Sequence, residues 1–85
     1  MGSYRILIRP SAAKEIEAVP RRDRYRIVAR IQGLSCDPRP PGCEKLSGQD
    51  KYRVRQGVYR VAYAVDDEGL FLLVVKVGHR KDVYR

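Results

Sequence analysis

Cysteine is scarce in this chain: only Cys36 and Cys43 occur, both in a proline-rich stretch and without CxxC or CxxH spacing. Two thiols so placed cannot supply the four ligands of a structural zinc, and no metal site is expected. They read as incidental reduced thiols, with a disulfide within the loop as the alternative. Long apolar runs are missing too. The longest, Leu70 to Val75, has six residues, against the roughly 18 to 20 that a membrane span requires. The N-terminal segment turns strand-like almost at once and shows no signal-peptide core, so a cytoplasmic protein without a membrane partner is expected. Histidine occurs once, at His79. Acidic residues are in deficit: ten Asp plus Glu against eighteen Lys plus Arg leave a formal net charge of +8.

What is present is arginine, thirteen of the eighteen basic residues. Such an excess calls for a polyanionic partner or an acidic protein partner. Hydrophobic residues make up 44% of the chain, enough for a folded core. With 85 residues the chain has room for one domain, 1–85, and a two-domain enzyme is excluded. No internal repeat or low-complexity segment is visible.

Tyr4 to Arg9 sets Tyr4, Ile6 and Ile8 against Arg5, Leu7 and Arg9, the period-2 pattern of a strand. Pro10 stops it, and Ser11 is the expected N-cap of a short helix over Ala12 to Val19 that Pro20 ends. A second helix is predicted from Arg21 to Leu34. Its apolar stripe is Ile27, Val28, Ile31 and Leu34, and Arg22, Arg26 and Arg30 form a basic row on another face. Ser35 to Gly42, with Pro38, Pro40 and Pro41, reads as an ordered loop.

Beyond the loop the chain reads as sheet: Tyr52 to Arg55, Tyr59 to Asp66, and the continuous apolar run Leu70 to Val77. Gly57 marks the turn between the first two and Asp67-Glu68-Gly69 the turn before the last. The order strand, helix, helix, three strands predicts an α+β fold, two helices on one face of a mostly antiparallel four-stranded sheet. If Tyr52, Val54, Val61 and Val65 face the helices, period 2 turns Arg53, Arg55 and Arg60 to the other face. Ala62 and Ala64 leave space beside Arg60 there. Tyr52, Tyr59 and Tyr63 are expected to pack the sheet, and His79, next to Arg80 on a strand, to face away from it.

At this point the motifs carry a resemblance. Lys45-Leu46-Ser47-Gly48, Tyr52-Arg53-Val54-Arg55, Tyr59-Arg60-Val61 with Tyr63, and Val77-Gly78-His79-Arg80-Lys81-Asp82-Val83-Tyr84-Arg85 resemble, in order and spacing, the RelE family of bacterial toxins in toxin-antitoxin pairs. The resemblance spans nearly the whole chain. It implies a RelE-like fold and a small endoribonuclease that enters the ribosomal A site and cuts mRNA there, held in check by a cognate RelB-like antitoxin. Position by position it implies Arg60 and Arg80 on the scissile phosphate, Tyr84 as catalytic base, and Arg53 with Arg55 on the substrate, without cofactor or metal. Arg53 and Arg55 stand where some members have lysine, which keeps the charge and changes the donor geometry. Two other readings remain: an inhibitor of DNA gyrase of the ParE branch, with the same fold, and a non-catalytic basic RNA-binding module.

Overall fold

The computed structural model describes residues 3–46 and 50–79. The element order is β1 (Arg5–Ile8), α1 (Pro10–Ala18), α2 (Arg21–Gly33), β2 (Glu44–Lys45), β3 (Lys51–Gln56), β4 (Tyr59–Asp66) and β5 (Phe71–His79). The strands form one sheet in the order β1-β5-β4-β3-β2. Only the β1 to β5 pairing is parallel; the others are antiparallel. The α+β architecture is as expected, with five strands in place of four. The added strand, β2, is two residues long, too short for alternation to register in sequence.

Both helices form on good local grounds, with one change from expectation. Helix α1 begins at Pro10, and its N-cap is Arg9, in extended conformation and without a side-chain cap; Ser11 is inside the first turn. Proline at the first helical position already has its φ fixed, and it pushes the preceding residue to extended backbone, so the helix starts there without a hydroxyl. Arg24 of α2 turns back and donates to the Glu17 and Val19 carbonyls, 3.0 and 3.2 Å away, which closes the end of α1.

The core lies between the helices and one sheet face. Ala12, Ile16 and Val19 repeat at i, i+4 and i+7, as do Ile27, Ile31 and Leu34, and all six are buried. They meet Tyr52, Val54, Val61, Tyr63, Val65, Leu72, Val74 and Val77. Val28, expected in the stripe, is 38% exposed, because a residue next to Ile27 points about 100° away from it. Tyr63 is fully buried, donates to the Pro38 carbonyl at 2.6 Å and stacks on Tyr52 at 5.9 Å, which fastens the proline-rich loop to the core.

Three local features set the registers. Gly57 has φ +62 in the two-residue link between Gln56 and its partner Tyr59, the glycine position of a type II′ hairpin. The β4 to β5 turn runs one residue further than expected: Leu70 takes φ 55 and β5 starts at Phe71. At Gly69 a Cβ would come within 2.9 Å of the Phe71 ring, so a side chain there would require the ring to shift. Finally, β5 carries a bulge: Ala62 pairs with Lys76 but Tyr63 pairs with Val74, leaving Val75 over. The extra residue reverses the alternation, so Val77 faces the helices and Lys76 the open face.

Candidate functional site

Register places the basic residues of the open face in two rows across the sheet. In the first row Glu44, Arg53, Ala62 and Lys76 are successive partners on β2, β3, β4 and β5. In the second, Arg55, Arg60 and Gly78 are successive partners on β3, β4 and β5. Adjacent strands lie about 4.8 Å apart, so four cations surround a floor made of one alanine and one glycine. The three arginines expected on this face are brought together there. Arg80 and Tyr84 lie outside the described residues.

The electrostatics of this face are unusual for so small a protein. Arg60 is only 6% exposed and Arg53 9%, although arginine is among the residues least often buried. A guanidinium stays charged when buried, so its burial is tolerated only where anions or dipoles face it. For Arg53 one such group is Glu44, whose Oε1 accepts from Nε at 3.3 Å and Nη2 at 3.1 Å. Arg55 is exposed and stands directly opposite Arg60, a like-charge pair that opposes sheet formation. Guanidiniums are fork-shaped donors whose geometry suits carboxylate and phosphate anions.

Lys76 is the cation that sequence reading missed. The run Leu70 to Val77 reads as continuous and apolar, and only the bulge shows which way its one charged residue points. The spacing of the buried residues Leu72, Val74 and Val77, two and then three, is the signal that marks it. The Lys76 ammonium lies 3.0 Å from Oε2 of Glu15 on α1, and the Val77 N–H donates to the other oxygen at 2.9 Å.

The remaining candidates fall elsewhere. His79 pairs with Tyr59 on the helix-facing side, their rings edge to face at 6.1 Å, and so faces away from Arg60; Arg80, from which it was expected to turn, lies outside the described residues. Tyr52 and Tyr63 are core residues. Burial pushes the Tyr63 phenol well above its ordinary range. Arg22 and Arg26 are exposed on α2, with Arg30 half-buried. Arg39 in the proline-rich loop, to which sequence reading assigned no contact, forms a bidentate pair with Asp67 at 2.8 and 3.2 Å and donates to the Tyr52 hydroxyl at 2.9 Å. Tyr4 donates to the same Asp67 carboxylate at 2.7 Å. Hydrogen bonds from Arg39 and then Tyr4 hold the Asp67 carboxyl below its usual range. This clamp closes the end of the sheet opposite the Arg55 and Arg60 hairpin. Cys36 and Cys43 are free thiols. No helix among the described residues is long and apolar enough to cross a membrane.

The two-helix, five-strand arrangement with a basic open face is the architecture of RelE-type toxins. The toxin in the RelBE2 toxin-antitoxin complex from Mycobacterium tuberculosis matches with a TM-score of 0.81 at 25% identity, covering 92% of this chain and 99% of that one. The archaeal RelE-RelB complex from Pyrococcus horikoshii matches with a TM-score of 0.80 at 26% identity, covering 92% and 96%. In sequence, Toxin RelG of Mycobacterium tuberculosis is 30% identical over 86 residues, 96% of this chain and 97% of the relative. The family model described as the ParE toxin of the type II toxin-antitoxin system parDE matches residues 6–84. The chain belongs to this RelE/ParE family and is a toxin of a type II toxin-antitoxin system.

Proposed function

We propose that this toxin is a ribosome-dependent endoribonuclease that cuts mRNA in the A site and so inhibits translation in the cytoplasm, and that a RelB-like antitoxin restrains it. The observation that carries the reading is the cross-strand pair Arg55 and Arg60, with Arg53 beside it on the same face. Like charges set opposite each other in a sheet cost stability, and an anion between them recovers it. The phosphodiester backbone is such an anion.

The reaction assigned here uses the substrate's own nucleophile. The 2′-hydroxyl oxygen attacks the adjacent phosphorus while the bond from phosphorus to the 5′-oxygen breaks, giving a 2′,3′-cyclic phosphate and a 5′-hydroxyl end. Three tasks follow: removing the 2′-proton, stabilising charge on the five-coordinate phosphorus, and returning a proton to the 5′-oxygen. Arg60 and Arg80 take the second, because a planar guanidinium donates two hydrogen bonds and stays charged. Tyr84 takes the first. Its phenol, ordinarily near pKa 10, needs the field of the arginines to ionise. Arg53 and Arg55 bind the backbone or serve the leaving oxygen, and no metal or cofactor is assigned.

A second reading has its own support, since the matching family model is that of ParE toxins: inhibition of DNA gyrase by the same face. Sequencing mRNA ends after induction in cells separates the two. Codon-phased cuts support the nuclease; intact mRNA with a DNA-damage response overturns it in favour of gyrase.

A further inference from the structure

Two of the four cations on the open face pair with carboxylates: Arg53 with Glu44, its row neighbour on β2, and Lys76 with Glu15, which comes from α1. The Glu15 arrangement is the more informative. Strand β1 pairs with β5 only as far as Val74, so beyond that point the outer edge of β5 has no strand neighbour among the described residues. Glu15 fills the gap, taking the Val77 N–H on one oxygen and the Lys76 ammonium on the other. A backbone amide and an ammonium converging on one anion are the donors that bind a phosphate. Gly78, two residues on from Lys76 and on the same face, is the partner of Arg60 and contributes no side chain between Lys76 and the Arg60 row.

We propose that Lys76 is a further RNA-binding residue of this site, contacting the backbone phosphate next to the one held by the arginines, and that Glu15 occupies its place until RNA arrives. The inference rests on the nuclease reading above. Glu15 is half-buried and the Lys76 side chain 44% exposed, so their ion pair contributes little stability and exchanges readily for another anion. RNA then competes with Glu15 for the ammonium. Lys76 and Glu15 therefore act on binding in opposite directions although they form one contact.

That opposition gives the test. The full chain is bound to ribosomes programmed with an mRNA carrying a 2′-deoxynucleotide at the cut position, which permits binding without cleavage, over a range of salt. Lys76→Ala is expected to weaken binding about tenfold or more, as loss of a charge-assisted contact does, and to lower the salt slope by about 0.7. Lys76→Arg restores both. Glu15→Gln keeps an acceptor for the Val77 N–H and tightens binding at low salt. If Lys76→Ala binds like wild type, or if both variants weaken binding alike, the pair is merely structural and the proposal is overturned. Arg60→Ala keeps the two failures apart. Weakening by Arg60→Ala without any effect of Lys76→Ala sinks this proposal alone, whereas no binding by wild type sinks it together with the nuclease reading.

Discussion

Arg55 and Arg60 face each other directly across the β3 to β4 hairpin, with only the Gly57 turn and the Gln56 and Tyr59 pair between them and the end of the sheet. Their opposition makes a specific forecast, because residues that serve function against stability can be removed to the benefit of stability. Arg55→Ala is expected to leave the denaturant midpoint unchanged or raised while lowering single-turnover mRNA cleavage on programmed ribosomes. Arg60→Ala is expected to cut cleavage by about 10²-fold or more, the usual effect of losing one preorganised donor.

Tyr84→Phe separates proton removal from stacking. If the phenol is the base, the chemical step falls by about 10²-fold or more while ribosome binding holds; if the ring only stacks, Phe serves as well and the rate survives. Single-turnover cleavage at saturating enzyme reads the difference.

The register of the arginine rows depends on Gly57. A side chain at φ +62 is strained, and Gly57→Val is expected to cost roughly 1–2 kcal/mol. It should also loosen the pairing of Arg55 with Arg60. Chemical denaturation measures the first effect, and amide exchange of the β3 to β4 hairpin the second.

The Asp67 clamp titrates in acid. Its carboxyl is lowered in the folded state by Arg39 and Tyr4, so the unfolded chain binds its proton first as pH falls. The stability it contributes is present above the unfolded value, near 4, and is lost as pH drops through the lower folded value. Asp67→Asn is expected to flatten the acid limb of a plot of thermal midpoint against pH, by lowering the neutral midpoint slightly while leaving the acid end nearly unchanged.

Tyr63 titrates at the other extreme. Burial raises its phenol in the folded state, so its contribution is intact below the ordinary value near 10 and is lost as pH rises beyond it. Tyr63→Phe removes that alkaline loss. It also leaves the Pro38 carbonyl without its donor, at a cost of about 1–3 kcal/mol at neutral pH. Thermal unfolding from pH 7 to 11 checks both.

How much of this was legible in sequence differs from element to element for physical reasons. Strand β4 was plain because Tyr59 to Asp66 alternates strictly, and the same period placed Arg53, Arg55 and Arg60 on one face. Strand β2 was invisible because two residues cannot show a period. Ser11 was preferred as a cap because hydroxyls cap helices, but proline ahead of it had already fixed the backbone. Lys76 was hidden because a bulge is a tertiary adjustment that the run Leu70 to Val77 does not announce. Arg39 escaped because its partner Asp67 comes from a distant turn. The motifs ending in Arg80 and Tyr84 gave the family, and those two positions lie outside the described residues.

The parallel pairing of β1 with β5 has a consequence for how such a protein is made. Arg5 finds its sheet partner only at Phe71, and β5 also supplies Lys76 and Gly78 to the basic face. While the ribosome is still synthesising the last strand, the first has nowhere to dock and the two rows of cations have no third column. A toxin built this way completes its sheet and its basic face only once β5 has been synthesised. A fragment that stops short of β5 therefore lacks both the partner of β1 and the Lys76 and Gly78 column of the basic face.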